Sequence, residues 1–195
     1  MPERFHSFGT NAGIQPESMQ IQRWRTMGLD DIKGRSVLDI GCAEGWFSMK
    51  CLDAGAVTVM GIDCERRLDP ALKGRITQRM GAVDDPVRNP VPQNGAFDII
   101  LCLRVLYHMR DPILALERMR KALKPGGVML LEMWFDDPGD GSETMRFLGD
   151  EPPGMRWSIT GPCLKRMLRA CGFSEPEELY SYMGGHRRIW KVIGR

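Results

Sequence analysis

Short apolar runs alternate with segments of mixed polarity between residues 36 and 134. We predict five strands here, of which the third has the weakest apolar pattern: 36–40, 56–63, 75–80, 97–103 and 128–134. Residues 44–55 and 111–127 have helical character. Nearly continuous apolar strands separated by helices are typical of a parallel sheet covered on both faces. Right-handed crossovers then wind such a sheet into a doubly wound α/β fold.

Residues that favour helix ends support both helix predictions. Asp111 suits the N-cap and Pro112 the first helical position, and the Pro-Gly-Gly run at 125–127 is expected to end that helix. Gly55 suits the end of the earlier helix. In a doubly wound fold, ligands bind beyond the carboxyl ends of the strands, where the strand order switches. We therefore searched those ends for functional residues.

The chain is predicted to be one domain, residues 1–195, in four consecutive parts. These are a leader or lid over 1–33 with a short helix near 16–28, a core over 34–135, a ligand-side loop over 136–160, and a closing region over 161–195. The stretch 136–155 is rich in Gly, Pro and Asp, which indicates a long loop, either a lid or a surface excursion. The closing region is predicted to hold a helix over 161–173 and two strands.

Composition narrows the class of protein. The chain has 195 residues, 43% of them hydrophobic and 27% charged, which is ordinary for a globular domain. Its formal net charge of +2 favours neither nucleic acid nor an anionic membrane as a partner. No apolar run approaches the roughly 20 residues of a membrane-spanning helix, and the first ten residues lack a secretory apolar region. The six cysteines have no C-x-x-C spacing, so we predict no metal site and a reducing, cytoplasmic location.

The first predicted strand runs into a glycine-containing turn, VLDIGCAEGWFS, at residues 37–48. Such a turn lets a ligand approach the backbone at the start of a helix. The dinucleotide fingerprint has a third glycine where Trp46 stands, and Asp39 would repel a pyrophosphate. Asp39 suits a ligand ammonium instead, and Asp63 closes the second strand where an acid accepts ribose hydroxyls. A nucleoside with an amino-acid tail, S-adenosyl-L-methionine, satisfies these features, whereas a plain strand–turn–helix junction accounts for the turn alone.

The chain resembles the class I S-adenosylmethionine-dependent methyltransferases. Five motifs carry the resemblance over about residues 36–175: VLDIGCAEGWFS, GIDCE, FDIILCLRVLYHMRDP, ALKPGGVMLLE and LKRMLRACGF. The resemblance implies a Rossmann-like, mostly parallel sheet of seven strands with helices on both faces and the last strand antiparallel. It also implies that residues 34–135 bind the cofactor, whose product is S-adenosyl-L-homocysteine. The implied cofactor-binding residues are Asp39, Gly41, Cys42, Ala43, Gly45, Trp46, Asp63, Cys64, Val83, Asp84, Leu103 and Arg104. Of these, Asp63 would take the ribose, Val83 and Asp84 would lie near the adenine, and Leu103 and Arg104 under the methionine end.

Within that class, VLYHMRDPILALERM and MRWSITGPCLKRMLRACGF are similar to the tRNA wobble-uridine carboxymethyltransferases and their small-molecule relatives. In those enzymes a tyrosine that matches Tyr107 contacts the carboxylate of a carboxylated cofactor, and Arg187 or Arg188 matches another contact. This chain lacks most of the long amino-terminal region of those enzymes. It also has no lysine before Lys33, so Arg4 and Arg23 are the candidates to replace theirs.

Methyl transfer from a sulfonium is an in-line displacement in which the protein mainly aligns the nucleophile and excludes water. His108 and Tyr107 are the catalytic candidates. His108 would be a general base, or alternatively an orienting histidine, and Tyr107 would rather line the pocket. His6, Trp134 and Arg187 are the substrate-binding candidates, with terminal mobility, core or rim packing and a solvated turn as the respective alternatives.

Three functions stay open at this point. The leading hypothesis is methyl transfer to an oxygen or nitrogen of a small-molecule acceptor. The first alternative is carboxymethyl transfer from carboxy-S-adenosylmethionine to a tRNA wobble uridine. The second is a partner subunit that binds S-adenosylmethionine without turnover. The near-neutral charge offers no phosphate-tracking surface, so nucleic acid is not favoured as a partner.

Overall fold

The computed structural model describes residues 17–65, 68–149 and 154–195. Numbering strands along the chain, the main sheet contains β1 Ser36–Ile40, β2 Thr58–Asp63, β3 Thr77–Met80, β4 Phe97–Leu103, β5 Leu123–Trp134, β8 Glu177–Tyr182 and β9 Arg187–Ile193. They lie in the order β3-β2-β1-β4-β5-β9-β8. The four pairs from β3 to β5 are parallel, and β9 is antiparallel to both of its neighbours. The predicted seven-stranded, mostly parallel sheet with an antiparallel last strand is confirmed.

Helices cover both faces of this sheet, as predicted. On one face lie α1 Glu17–Met27 and α2 Trp46–Asp53, and on the other α3 Pro112–Ala122 and α4 Gly161–Ala170. The side chains of β4 alternate between these layers: Leu101 packs with α1 and α2, whereas Ile100 packs with α3 and α4. Both are fully buried, which explains why the strand reads as one continuous apolar run.

The helix predicted over 111–127 is shorter than expected. Asp111 caps it by accepting the Leu114 N–H at 2.9 Å, as predicted, but α3 ends at Ala122. Leu123 is already extended and pairs with Phe97, so β5 begins five residues earlier than predicted. The helix also ends before Pro125, because a proline disfavours helical geometry in the residue that precedes it. The Pro-Gly-Gly run therefore lies inside the strand rather than at the end of the helix.

The prediction of a long loop over 136–155 is only partly right. Two short strands, β6 Met145–Phe147 and β7 Trp157–Ile159, pair antiparallel and form a second small sheet. Residues at the start of β7 are hydrogen-bonded to the residues after β4: Arg156 N donates to Tyr107 O at 3.0 Å, and Trp157 Nε1 donates to Met109 O at 2.8 Å. The segment is thus anchored beside the carboxyl ends of the sheet.

The direction of chain winding reverses between β1 and β4, which are neighbours although β2 and β3 intervene in sequence. The loops after β1 and β4 therefore leave the sheet side by side, at the place where such folds bind ligands. None of the helices in 17–65, 68–149 and 154–195 is long and apolar enough to cross a membrane.

Candidate active site

The turn after β1 is held in a left-handed conformation at three alternate residues. Gly41, Ala43 and Gly45 have φ of 71°, 47° and 89°. A Cβ on Gly41 would lie 2.3 Å from Val105 Cγ2, so a side chain there would push apart the two loops at the switch point. The bare backbone at Gly41 is thus a requirement of the tertiary structure.

Trp46 and Cys42, both predicted cofactor residues, have their side chains in the core. The Trp46 indole is 6% exposed and packs among the residues beneath α1 and α2. The Cys42 thiol lies against Gly61, where a Cβ would meet its Sγ at 2.7 Å. Burial raises the pKa of this thiol, so it stays protonated. Any contact that these two residues make with a ligand would therefore come from the backbone.

Two buried carboxylates flank the turn. Asp39, in β1, is 3% exposed and accepts a hydrogen bond from Ser48 Oγ at 2.6 Å. Burial, with a smaller contribution from the charge of Asp63, raises the pKa of Asp39 to about 7 against the opposing effect of Ser48. Asp63, at the end of β2, accepts the Ala43 N–H at 2.8 Å and the Glu65 N–H at 3.0 Å. A carboxylate has about four acceptor positions, so Asp63 keeps capacity for a ligand hydroxyl.

Val83 and Asp84 follow β3 and are both buried. Asp84 Oδ2 accepts the N–H groups of Arg110 and Asp111, at 2.5 and 3.0 Å. This carboxylate therefore ties the loop after β3 to the N-terminus of α3 and closes one side of the turn. Cys64, by contrast, is exposed just after Asp63.

The loop after β4 brings the second group of predicted residues together. Leu103 ends the strand, and Arg104 adopts a left-handed conformation with φ 67°, its N–H bound to Glu132 O at 2.9 Å. The Arg104 Nε is buried without a hydrogen-bond partner. Burial lowers the pKa of this guanidinium, but Tyr107 and Glu132 raise it more, so Arg104 stays charged.

Tyr107 and Arg187 meet across the sheet. Arg187 Nη1 donates to the Tyr107 hydroxyl at 3.4 Å, and the guanidinium lies 5.0 Å from the ring centre of Trp134. Arg188 points to the opposite face, where its Nη1 lies 2.8 Å from Asp137 Oδ2. Residues alternate along a strand, so only one of these two arginines can face Tyr107. Of the two arginines that the sequence left open, Arg187 is the one that lies beside Tyr107.

We call Arg104, Tyr107 and Arg187 the cation cluster. Within the described ranges, neither of its arginines forms an ion pair within 4 Å. Tyr107 is 3% exposed. Two arginines beside one buried phenol, without a carboxylate, form a site of positive potential suited to an anionic group.

His108 borders the cation cluster. Its Nδ1 hydrogen-bonds to Gly154 O, which requires the proton on Nδ1 and makes Nε2 the basic nitrogen. Burial, followed by the charges of Arg104 and Arg187, lowers the pKa of His108 to about 4. The ring is therefore neutral near pH 7, and its hydrogen bond to Gly154 ties it to the segment before β7.

The remaining substrate-binding candidates differ in where they lie relative to the site. Trp134 stacks on His186 with ring centres 5.3 Å apart and an interplanar angle of 9°, so it forms a wall beside Arg187. His6 lies outside the described residues, as does Arg4. Arg23, considered as a substitute for a missing lysine, is instead buried against Glu132.

Sequence reasoning missed Glu132 and Tyr182. Glu132 is fully buried in β5 and accepts the Tyr182 hydroxyl. A single acid inside the apolar run VMLLEMW was the available signal, because a buried carboxylate requires partners.

The switch-point turn, the acids after β1 and β2, and the seven-stranded sheet together define a class I S-adenosylmethionine-dependent methyltransferase. A family model for the methyltransferase domain matches residues 19–175, and the chain belongs to that family. Its cofactor is S-adenosyl-L-methionine, and the carboxylates of Asp39 and Asp63 are groups that suit a ligand with an ammonium and hydroxyl groups. The class is therefore that of an enzyme.

Among curated proteins, the chain is 31% identical over 186 residues to a tRNA U34 carboxymethyltransferase from Hahella chejuensis. The match covers 88% of this chain and 54% of that protein, so the chain spans about half the length of this relative.

Two solved structures are similar in fold. One is an S-adenosylmethionine-dependent methyltransferase from Mesorhizobium loti, with a TM-score of 0.70 and 18% identity, covering 88% of this chain and 96% of that one. The other is the 1,6-didemethyltoxoflavin-N1-methyltransferase of Burkholderia thailandensis with S-adenosylhomocysteine, with a TM-score of 0.66 and 18% identity, covering 91% and 83%.

Proposed function

We propose that this methyltransferase transfers a carboxymethyl group from carboxy-S-adenosylmethionine, whose carboxylate is bound by the cation cluster. The observation that carries the proposal is the contact between Arg187 and Tyr107 beside Arg104, with no carboxylate paired to either arginine in the described residues. A plain methyl group is apolar and gains nothing from two guanidinium groups. A carboxylate accepts charge-assisted hydrogen bonds from both.

The relatives support the same assignment. The curated proteins most similar in sequence include tRNA U34 carboxymethyltransferases, and this chain carries the tyrosine and arginine expected of such a site. Because the chain spans about half of the length of these relatives, we extend their donor to this chain but not their acceptor.

For the acceptor we propose a small molecule. Two basic side chains of α3 and α4 are bound within the chain: Arg118 to the carbonyls of Val83 and Asp85, and Arg169 to Glu175. Side chains used in this way make a weak phosphate-binding surface. The formal net charge of +2 agrees with this choice.

The residues would divide the work as follows. Asp39 and Asp63 would bind the ammonium and the ribose hydroxyls, and Val83 and Asp84 would lie beside the adenine. The bound sulfonium supplies an activated carbon, so the protein's task is alignment and exclusion of water. Tyr107 and Arg187 would orient the transferred group. His108, neutral with a basic Nε2, would take a proton from a hydroxyl acceptor, although a pKa of about 4 makes it a weak base.

The second candidate is transfer of a plain methyl group to a small acceptor that is itself anionic. The stack of Trp134 beside Arg187 favours it, because an aromatic wall next to a guanidinium suits a small organic acid. In this case the cation cluster would bind the acceptor.

Two measurements separate the candidates. Mass spectrometry of the sulfonium that co-purifies with the protein is expected to show the carboxylated form. Calorimetry is expected to show that carboxy-S-adenosylmethionine binds at least about tenfold more tightly than S-adenosylmethionine, since one charge-assisted contact contributes more than 1 kcal/mol. Equal affinities would reject the first candidate. Methylation of a small organic acid by the isolated chain would then support the second.

A further inference from the structure

Glu132 is a carboxylate with 0% exposure in the central strand β5. Both of its oxygens have donors: Arg23 Nε binds Oε2 at 2.8 Å, joined there by Arg23 Nη2, and the Tyr182 hydroxyl binds Oε1. Glu132 thus joins α1, β5 and β8. A carboxylate in such a place requires a positive partner, and Arg23 supplies it.

Arg23 is fixed on several sides by residues outside the cation cluster. It is 3% exposed, its Nη1 donates to Gln20 Oε1, and its guanidinium lies 4.8 Å from the ring centre of Phe47. Neither Glu132 nor Arg23 is a member of the cation cluster.

Arg104 is the second cation near this acid. Its N–H donates to the Glu132 carbonyl at 2.9 Å, and the Glu132 charge raises the pKa of the Arg104 guanidinium. Even so, Arg104 makes no ion pair within 4 Å in the described residues, and its Nε has no acceptor. The carboxylate nearest in the strand register, Glu132, is bound by a different arginine and acts on Arg104 only from beyond ion-pair distance.

We propose that Arg23 is a positioning residue that occupies Glu132 and so prevents this acid from pairing with Arg104. The Arg104 guanidinium then remains directed to the anionic group of the ligand. The inference rests on the proposed function, because it takes the cation cluster as an anion site. It adds that a residue outside that site controls the selectivity of the cluster.

The test compares the affinity for carboxy-S-adenosylmethionine with that for S-adenosylhomocysteine by calorimetry. In Arg23→Met, Glu132 loses its partner and draws Arg104 into an ion pair. We expect the ratio of the two affinities to fall about tenfold, the effect of one charge-assisted contact. Taking the ratio corrects for the influence of Arg23 on Asp39, which affects both ligands alike.

A double variant distinguishes this role from a structural one. In Arg23→Met/Glu132→Gln the competing charge is absent, the amide oxygen still accepts from Tyr182, and Arg104 is released. We expect the ratio to return to within about threefold of the wild type, whereas a purely structural role for Arg23 predicts no rescue. Arg25→Met, on the exposed side of the same helix, is the matched control and should leave the ratio unchanged.

A spectroscopic measurement tests the pairing without any ligand. The ¹H–¹⁵N signal of Arg104 Nε, assigned by its loss in Arg104→Lys, should shift in Arg23→Met and return in the double variant. An unchanged signal, or a double variant without rescue, would overturn the inference. If the wild type binds both ligands equally, the proposed function fails, while the Arg104 signal still decides whether Arg23 controls this guanidinium.

Discussion

The two halves of the site use opposite charges. On the half formed by β1, β2 and the loop after β3, carboxylates predominate, and Asp63 and Asp84 each accept two backbone N–H groups. On the half formed by β4, β5 and β9, arginines predominate, and the one buried acid among the described residues there, Glu132, is occupied from behind by Arg23.

This difference indicates how the two halves of the site divide the binding of the ligands between them. The acidic half is rigid because its carboxylates also hold the loops that carry them, and it suits a cationic, hydroxyl-bearing donor. In the basic half, Arg104 and Arg187 form no ion pair within 4 Å in the described residues, which suits an anion that arrives with a ligand. Four experiments test whether the halves are independent, taken from the largest expected effect to the smallest.

Asp63→Ala should weaken S-adenosylhomocysteine binding about 100-fold, because it removes both the support of the Ala43 N–H and the proposed ribose acceptor. Calorimetry measures the change. Asp85→Ala is the control, since Asp85 also accepts two backbone N–H groups but lies away from the turn. Unchanged affinity in Asp63→Ala would show that the ribose lies elsewhere.

Arg187→Met should weaken carboxy-S-adenosylmethionine binding about 30-fold and leave S-adenosylhomocysteine within about twofold. Arg188→Met, one residue away on the other face, should affect neither ligand but lower the thermal midpoint, because it breaks the pair with Asp137. If both ligands weaken equally in Arg187→Met, the basic half is not specific for the carboxylate.

The pH dependence of S-adenosylhomocysteine affinity tests Asp39. Its pKa of about 7 means that it is protonated at lower pH, whereas a ligand ammonium favours the carboxylate. Affinity should therefore fall by up to about tenfold per pH unit below pH 7 and level off above it.

The stability of the ligand-free protein should depend on pH in the opposite direction. The native state binds more protons than the unfolded chain between about pH 4 and 7, so the free energy of unfolding decreases as pH rises there. Asp39→Asn should flatten both profiles, and a persisting slope would assign the effect to another group.

Asp84→Asn should have the smallest effect, a loss of about threefold in S-adenosylhomocysteine affinity. The amide oxygen still accepts the N–H groups of Arg110 and Asp111, so only the charge beside the adenine is lost. The same variant should leave the preference for a carboxylated donor unchanged. A change in that preference would show that the two halves are coupled.

Much of the acidic half could be predicted from the sequence. The turn, Asp39 and Asp63 lie within 25 residues of one another, and the strand–turn–helix–strand pattern places them at the carboxyl ends of two neighbouring strands. Because the signal is local, the β1–α2–β2 unit was recognisable before the partners of its side chains were known.

The basic half was less accessible. The sequence suggested Tyr107 and an arginine at 187 or 188, but strand alternation and the register of β9 against β5 decided which arginine faces the site. The length of α3 and the strands β6 and β7 also differed from prediction, because strand pairing overrode the expected helix end and the loop composition.

The sequence by itself determined the class of fold and the donor side, since apolar periodicity, glycine positions and two acids act over short distances. Only the tertiary structure decided which charges remain without a partner. Arg23, Arg104, Glu132 and Arg187 are far apart in the chain, and whether a buried charge is neutralised depends on neighbours that only folding brings within hydrogen-bond distance.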